Sequence, residues 1–199
     1  MENQKQQIIK TAGEMFFRIG IRSVSIDDIC RELGMSKKTF YVYFAGKDEL
    51  VAQLLQSNIE CIALKLRELL ELHDFRKLVN TLLFRQQAEN NDVRRVPQLV
   101  YDLKKYYPKQ FAEFQKNTFR VQREYLQAYL EQGLHDGYVR SDLDIGLAAA
   151  LLARIHSDAI RDFEQIEAHG LTMHQLSHTA MDIFVRGVLS EEGMKLYES

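Results

Sequence analysis

Apolar residues return every three or four positions along most of the chain, a spacing that predicts helices and leaves no room for an alternating strand pattern. Ile8, Ala12, Met15, Phe16 and Ile19 form the first stripe, and Gly20 stops it as a C-cap glycine does. Ser25 opens a second helix with Asp28 three residues on, a capping-box-like pair, and an apolar face of Ile26, Ile29, Cys30 and Leu33. Gly34 ends that helix, and Ser36 caps a short third one in which Phe40 and Phe44 share a face. After Gly46 a fourth stripe begins: Leu50, Val51, Leu54, Leu55, Ile59, Ile62, Leu66 and Leu69, running to about His73.

Further along, Asp74 is placed to cap a helix reaching about Asn90, with polar residues 89–92 as a loop. Pro97 suits the first turn of the next helix and Tyr106-Tyr107-Pro108 its end. From there a long helix extends to the glycines at 133 and 137. Asp144 caps a helix rich in small residues (Ala148, Ala149, Ala150, Ala153, Ser157, Ala159) that Gly170 ends. Thr172 caps the last helix, which continues to about Ser190. There is no repeat of fixed period and no low-complexity tract. The expectation is an all-α protein of about nine helices.

Composition narrows this only a little. Hydrophobic content of 46% with 27% charged residues is that of an ordinary globular protein, and 2 prolines with 10 glycines leave long helices uninterrupted. The start, Met-Glu-Asn-Gln-Lys-Gln-Gln, lacks the apolar run of a signal peptide, and no stretch approaches the roughly 18 apolar residues of a membrane span. A cytoplasmic protein with no membrane partner is expected. Cys30 and Cys61 are too few and too far apart for a zinc site or a disulfide framework, and no cofactor is implied. Lys47-Asp48-Glu49-Leu50 matches an ER-retention signal in letters only, because that signal is read at the C-terminus.

The net charge of −2 does not advertise a nucleic-acid binder. Its distribution says more: residues 1–55 hold eight Lys/Arg against seven Asp/Glu, a net of +1, so the rest sums to −3. Within 31–47, Arg31, Lys37, Lys38 and Lys47 face only Glu32. A local basic patch binds phosphate even on an acidic chain, although the same pattern also describes a solvated helix face.

Two short helices joined through Leu33-Gly34-Met35 match a helix-turn-helix. At about 100° per residue, Phe40 and Phe44 centre the buried face of the third helix. Lys38, Thr39 and Val42 then point away from it, flanked by Tyr41 and Tyr43. A long cation, a small hydroxyl and an apolar contact suit base edges and thymine methyls, and flanking phenols suit phosphates.

Residues 8–50 resemble the DNA-binding domain of the TetR family of bacterial transcriptional regulators. The resemblance runs through Ile8-Ile9-x-x-Ala12-x-x-Met15-Phe16, Gly20, and Val24-Ser25-x-x-Asp28-Ile29. It continues through Leu33-Gly34-Met35-Ser36-Lys37-x-Thr39-Phe40-Tyr41-x-Tyr43-Phe44 and closes at Lys47 and Leu50. It implies an N-terminal three-helix domain over 1–46 and a helical ligand-binding and dimerisation domain over 47–199. The implied activity is that of a repressor which releases double-stranded operator DNA when a small apolar or amphipathic effector binds. By the resemblance, Ser25, Ser36, Tyr41, Tyr43 and Lys47 hold phosphates while Lys37, Lys38 and Thr39 approach the major groove. Lys38 departs from the glycine often found at its place, and Gly13 stands mid-helix where a larger residue is usual, at about 1 kcal/mol of helix propensity.

The last two helices resemble the family's dimer interface. Ala149, Ala153 and Ala159 beside Leu152, Ile155, Ile160 and Phe163 give one helix a small and apolar face; Leu176, Ala180, Ile183, Phe184 and Val188 give the other a matching stripe. A homodimer is expected through Ala149, Leu152, Ala153, Ile160, Ala180, Ile183 and Phe184. The segment 84–125 is aromatic-rich, and Phe84, Gln87, Tyr101, Phe119 and Arg123 are candidate effector contacts.

Three other readings compete. His174 and His178 share a helix face at zinc-ligand spacing, but Gln175 replaces the general-base glutamate such an enzyme needs, and no third ligand is indicated. No Gly-x-Ser-x-Gly nucleophile elbow is present, so no enzyme is expected. A helical adaptor would use its N-terminal unit for protein contacts, and a redox sensor would use Cys30 or Cys61, of which only Cys30 adjoins a cation, Arg31.

Overall fold

The computed structural model describes residues 2–72, 74, 96–161 and 173–198. Among these residues the chain forms α1 (Glu2–Ile19), α2 (Ile26–Glu32), α3 (Lys37–Tyr43), α4 (Lys47–Glu71) and α5 (Val96–Tyr106). These are followed by α6 (Pro108–His135), α7 (Ile145–Arg161), α8 (Met173–Val188) and α9 (Glu191–Glu198). The only extended pairing among them is an isolated antiparallel bridge between Val139 and Leu189. No helix among the described residues is long and apolar enough to cross a membrane. The helix expected over 74–90, the stop at Gly170 and the cap at Thr172 lie outside the described residues.

The chain divides into two compact units: residues 1–60 with 90–115, and residues 61–89 with 116–199. The unit holding α1–α3 thus also takes in the first half of α4, the whole of α5 and the start of α6. Its core is Ile8, Ala12, Phe16, Ile21, Val24, Ile29, Phe40, Phe44, Leu50 and Val51, all essentially inaccessible, with Leu103, Tyr107 and Phe111 buried against the same cluster. Ile19, expected in the first stripe, is 50% exposed. The chain turns at Gly20 (φ 86°) just beyond it, and Ile21 takes the buried position instead.

The other unit has its own core. Val121, Leu126, Tyr129 and Leu130 of α6 are buried, as are Ala148, Ala149, Leu152 and Ala153 of α7 and Met181, Val185 and Val188 of α8. Asp144 caps α7 as expected, its Oδ1 accepting the Leu147 N–H at 2.9 Å. The last stripe stops at Val188 rather than Ser190, because Ser190 starts another helix. Its Oγ accepts the Gly193 N–H at 3.1 Å and donates to the Gly137 carbonyl at 2.6 Å, while its N–H donates to the Tyr138 carbonyl. The residue read as the end of one helix is the N-cap of α9.

Candidate nucleic-acid interface

The interface is built from two capped helices. Ser25 is extended (φ −92°, ψ 164°) and its Oγ accepts the Asp28 N–H at 3.1 Å. Asp28 Oδ2 accepts the Ser25 N–H at 2.9 Å, which completes the capping box. These bonds, with Ser25 Oγ donating to the same oxygen, hold the Asp28 carboxyl below the usual carboxylate range. Gly34 (φ 61°) turns the chain, and Ser36 caps α3 by accepting the Thr39 N–H at 3.1 Å. The two caps begin the two helices on the side where their free N–H groups favour an anion.

α3 is pinned by Phe40 and Phe44, both buried with ring centroids 5.5 Å apart. Opposite them, Val42 is 68% and Tyr41 54% exposed, and Lys38 is exposed as well. Thr39 is half-buried and its Oγ1 lies 2.9 Å from Ser36 Oγ, so that hydroxyl is already oriented by the cap. Val42, and the part of Tyr41 left open beyond its edge-on contact with the Phe40 ring at 5.5 Å, expose apolar surface to water on a seven-residue helix. They fit a surface that is covered by something else.

The remaining candidates are more entangled than their positions along the chain suggest. Lys37 Nζ pairs with Asp27 Oδ1 at 2.7 Å, joining the start of α3 to the start of α2. Tyr43 is half-buried and its hydroxyl donates to Gln4 Oε1 of α1 at 2.9 Å. Lys47 Nζ donates to the Ile21 and Val24 carbonyls and sits 5.6 Å from the Phe16 ring centroid. Burial lowers its affinity for the proton, against the opposing pull of Asp102, Asp28 and Asp48. Two of its three donors therefore stitch the α1–α2 loop to the start of α4.

The same loop is held from another side by a residue that sequence reasoning missed. Asp102 of α5 is buried; its Oδ2 accepts the Arg22 N–H at 3.2 Å and its Oδ1 accepts Gln98 Nε2 at 3.1 Å. A Cβ at Gly20 would lie 3.1 Å from Asp102 Oδ2, so glycine serves both the positive φ and the approach of the carboxylate. Arg22 Nη1 donates to Tyr106 Oη at 3.0 Å, a second tie between the loop and α5. An aspartate at 102 carries no local signal of this role, since its partner is eighty residues away.

The comparisons with known proteins agree with this geometry. Residues 8–54 match the model of the bacterial regulatory proteins of the tetR family. The chain carries a TetR-type DNA-binding domain in these residues. It is a DNA-binding transcriptional regulator, and regulators of this family bind operator DNA and act as dimers. Over 193 residues, 96% of each chain, it is 20% identical to the transcriptional repressor KstR2 of Mycobacterium tuberculosis. Its fold is that of a TetR transcription regulator from Haloarcula marismortui (TM-score 0.76, 18% identity, covering 96% of this chain and 100% of that one). A transcriptional regulator from Saccharomonospora viridis in complex with choline is also similar (TM-score 0.68, 19% identity, 96% and 100% covered).

Of the candidate effector residues, Phe84 and Gln87 lie outside the described residues. Tyr101 is 41% exposed and its hydroxyl accepts from Lys105 Nζ at 2.9 Å. Phe119 is half-buried on α6, and Arg123, one turn on, is exposed. The expected dimer seam needs correction. Ala149, Leu152 and Ala153 are at most 2% exposed within the single chain, where α7 packs on α8, so they cannot touch a partner directly. Ala180 and Phe184 are half-buried and the Ile160 side chain is outside the described set. Exposed apolar side chains on the same helices are Leu147 (59%), Leu151 (54%) and Ile183 (66%). Small residues pack α7 inward because periodicity marks an apolar stripe without saying which neighbour covers it.

Among the described residues no group of three or more His, Cys, Asp or Glu is placed to hold a metal ion. The side chains of His174 and His178 are not among those described. Cys30 is buried, and desolvation together with Asp27 pushes its thiol up, away from the reactive thiolate.

Proposed function

We propose that this protein is a ligand-responsive repressor of the TetR family that binds its operator as a homodimer and lets go when a small apolar or amphipathic molecule binds. The observation that carries the DNA-binding half is the exposed face of α3, with Lys38, Tyr41 and Val42 outward and Phe40 and Phe44 anchored beneath. α3 enters the major groove, where Lys38, Thr39 and Val42 meet base edges. Lys37 approaches the same groove, its charge shared with Asp27. Ser25, Ser36, Tyr41, Tyr43 and Lys47 meet phosphates and fix the register. Tyr43 must exchange Gln4 for phosphate to do so, and Lys47 has one donor left to give.

Dimerisation runs through α7 and α8, with Leu147, Leu151 and Ile183 at the seam and Ala180 and Phe184 beside them. The buried Ala149, Leu152 and Ala153 shape it from below. Two operator half-sites need two heads, which is why the seam belongs to the function. The regulatory half is supported by the repressor name of the KstR2 relative and by the choline held by the Saccharomonospora viridis neighbour. An effector acts only through its differential affinity for the operator-bound and free forms. The domain division we adopt is a reading head over 1–46 and an effector and dimerisation body over 47–199, with no enzymatic activity and a cytoplasmic location.

Selecting binding sites from random duplex DNA with the purified protein tests this reading. A palindromic site bound with a steep salt dependence is the expected result. Recovery of no enriched sequence, with no salt-dependent shift on any duplex, contradicts it and favours the protein-binding adaptor.

A further inference from the structure

Two polar atoms on α6 are buried without a hydrogen-bond partner: Thr118 Oγ1 and Gln122 Oε1. Four residues apart, they stand one turn above the other on one helix face, yet they do not bond to each other. Toward the C-terminus the same face is satisfied, for Tyr125 bonds Arg67 and the Tyr129 hydroxyl donates to the Leu66 carbonyl. Val121 and Leu126, beside the pair, are buried and apolar. A helical threonine ordinarily returns its hydroxyl to the carbonyl four residues back, and buried amide oxygens are nearly always paired. Here the fold alone would favour valine and leucine, since isosteric apolar replacements would remove two unsatisfied atoms.

We propose that Thr118 and Gln122 are the polar rungs of the effector site, and that the effector presents a neutral hydroxyl on an apolar body. This rests on the effector-responsive reading given under Proposed function. Gln122 Oε1 only accepts, so the ligand group must donate; the Thr118 hydroxyl donates or accepts. A ligand hydroxyl serves both at one atom, giving its proton to Gln122 and taking that of Thr118. A carboxylate or phosphate brings only acceptors to Gln122 Oε1. Arg123, which would neutralise such a group, is exposed and lies about 100° around the helix from Gln122.

The test uses the full-length dimer and its selected operator, with 1-decanol and 4-tert-butylcyclohexanol as probes, each beside its methyl ether. Gln122→Leu and Thr118→Val should melt at or above the parent temperature without ligand. The parent should bind at least one alcohol more tightly than its ether, and Gln122→Leu should lose about tenfold or more of that affinity together with the preference. Lower melting of both variants would mean that the atoms serve the fold, and would overturn the proposal. So would equal binding of alcohol and ether, or no binding of either alcohol, as when the site holds water only. If Gln122-dependent alcohol binding leaves operator affinity unchanged, the hydroxyl site stands and the effector reading falls. A compound without a hydroxyl that releases operator from parent and Gln122→Leu alike does the reverse.

Discussion

Lys47 shows how one side chain can be asked for two things at once. Its ammonium ties the Ile21 and Val24 carbonyls to the start of α4, and a phosphate contact would use only what remains. Lys47→Ala should therefore lower stability by about 2 kcal/mol, read as an earlier urea midpoint, as well as weakening DNA binding. Lys38 is exposed and reads base edges, so Lys38→Ala should leave the midpoint in place and narrow the preference for operator over scrambled DNA by about 1–3 kcal/mol. Equal midpoints for both variants would remove the structural role given to Lys47. The lowered pKa of Asp28 makes a pH prediction with a definite sign. A carboxyl whose folded pKa is lowered contributes stability above its unfolded value and loses it as pH falls through the folded one. Asp28→Asn should flatten the acid limb of a stability–pH profile and leave the neutral region little changed in slope. The serine caps were legible in the sequence because each partner lies three residues away. The Asp27–Lys37 pair and the Asp102–Arg22 bond were not, because they require helices to be already packed.

At the scale of elements, amphipathic stripes placed most helices, and the surprises come from close approach. Gly13 was an anomaly on propensity alone. A Cβ there would lie 2.9 Å from Leu54 Cδ1, so glycine lets α1 sit against α4. Gly13→Ala should gain about 1 kcal/mol in a Leu54→Ala background and clearly less in the parent, a coupling that a double-mutant cycle measures. Gly193 is stricter: a Cβ would run into the Tyr138 carbonyl oxygen, which is backbone. Gly193→Ala should cost about 2 kcal/mol or more and loosen α9, visible as faster amide exchange at Ser190. Neither close approach has a signature in spacing, for each depends on a residue distant in the chain. α9 itself was missed because Ser190 follows an apolar stripe closely enough to read as its end.

At the scale of the molecule, the dimer and the operator belong together. Sequence periodicity put the expected seam on the small-residue face of α7, but Ala149 and Ala153 serve α7–α8 packing within one chain, so the seam we propose uses the exposed face. Leu151→Glu with Ile183→Glu should give folded monomers, with unchanged helical circular dichroism and half the sedimenting mass. Ala153→Arg should instead unfold the body, since it buries a charge. A Leu151/Ile183 variant that stays dimeric places the seam elsewhere. The account turns on α3 reading sequence while its surroundings grip the backbone. The most direct test is the ratio of affinities for the selected operator and a scrambled duplex, compared between the parent and Thr39→Ala. We expect the ratio to narrow by about 1–3 kcal/mol in Thr39→Ala, through loss on the operator and little change on the scrambled duplex. Equal weakening on both duplexes would contradict the division between reading and gripping.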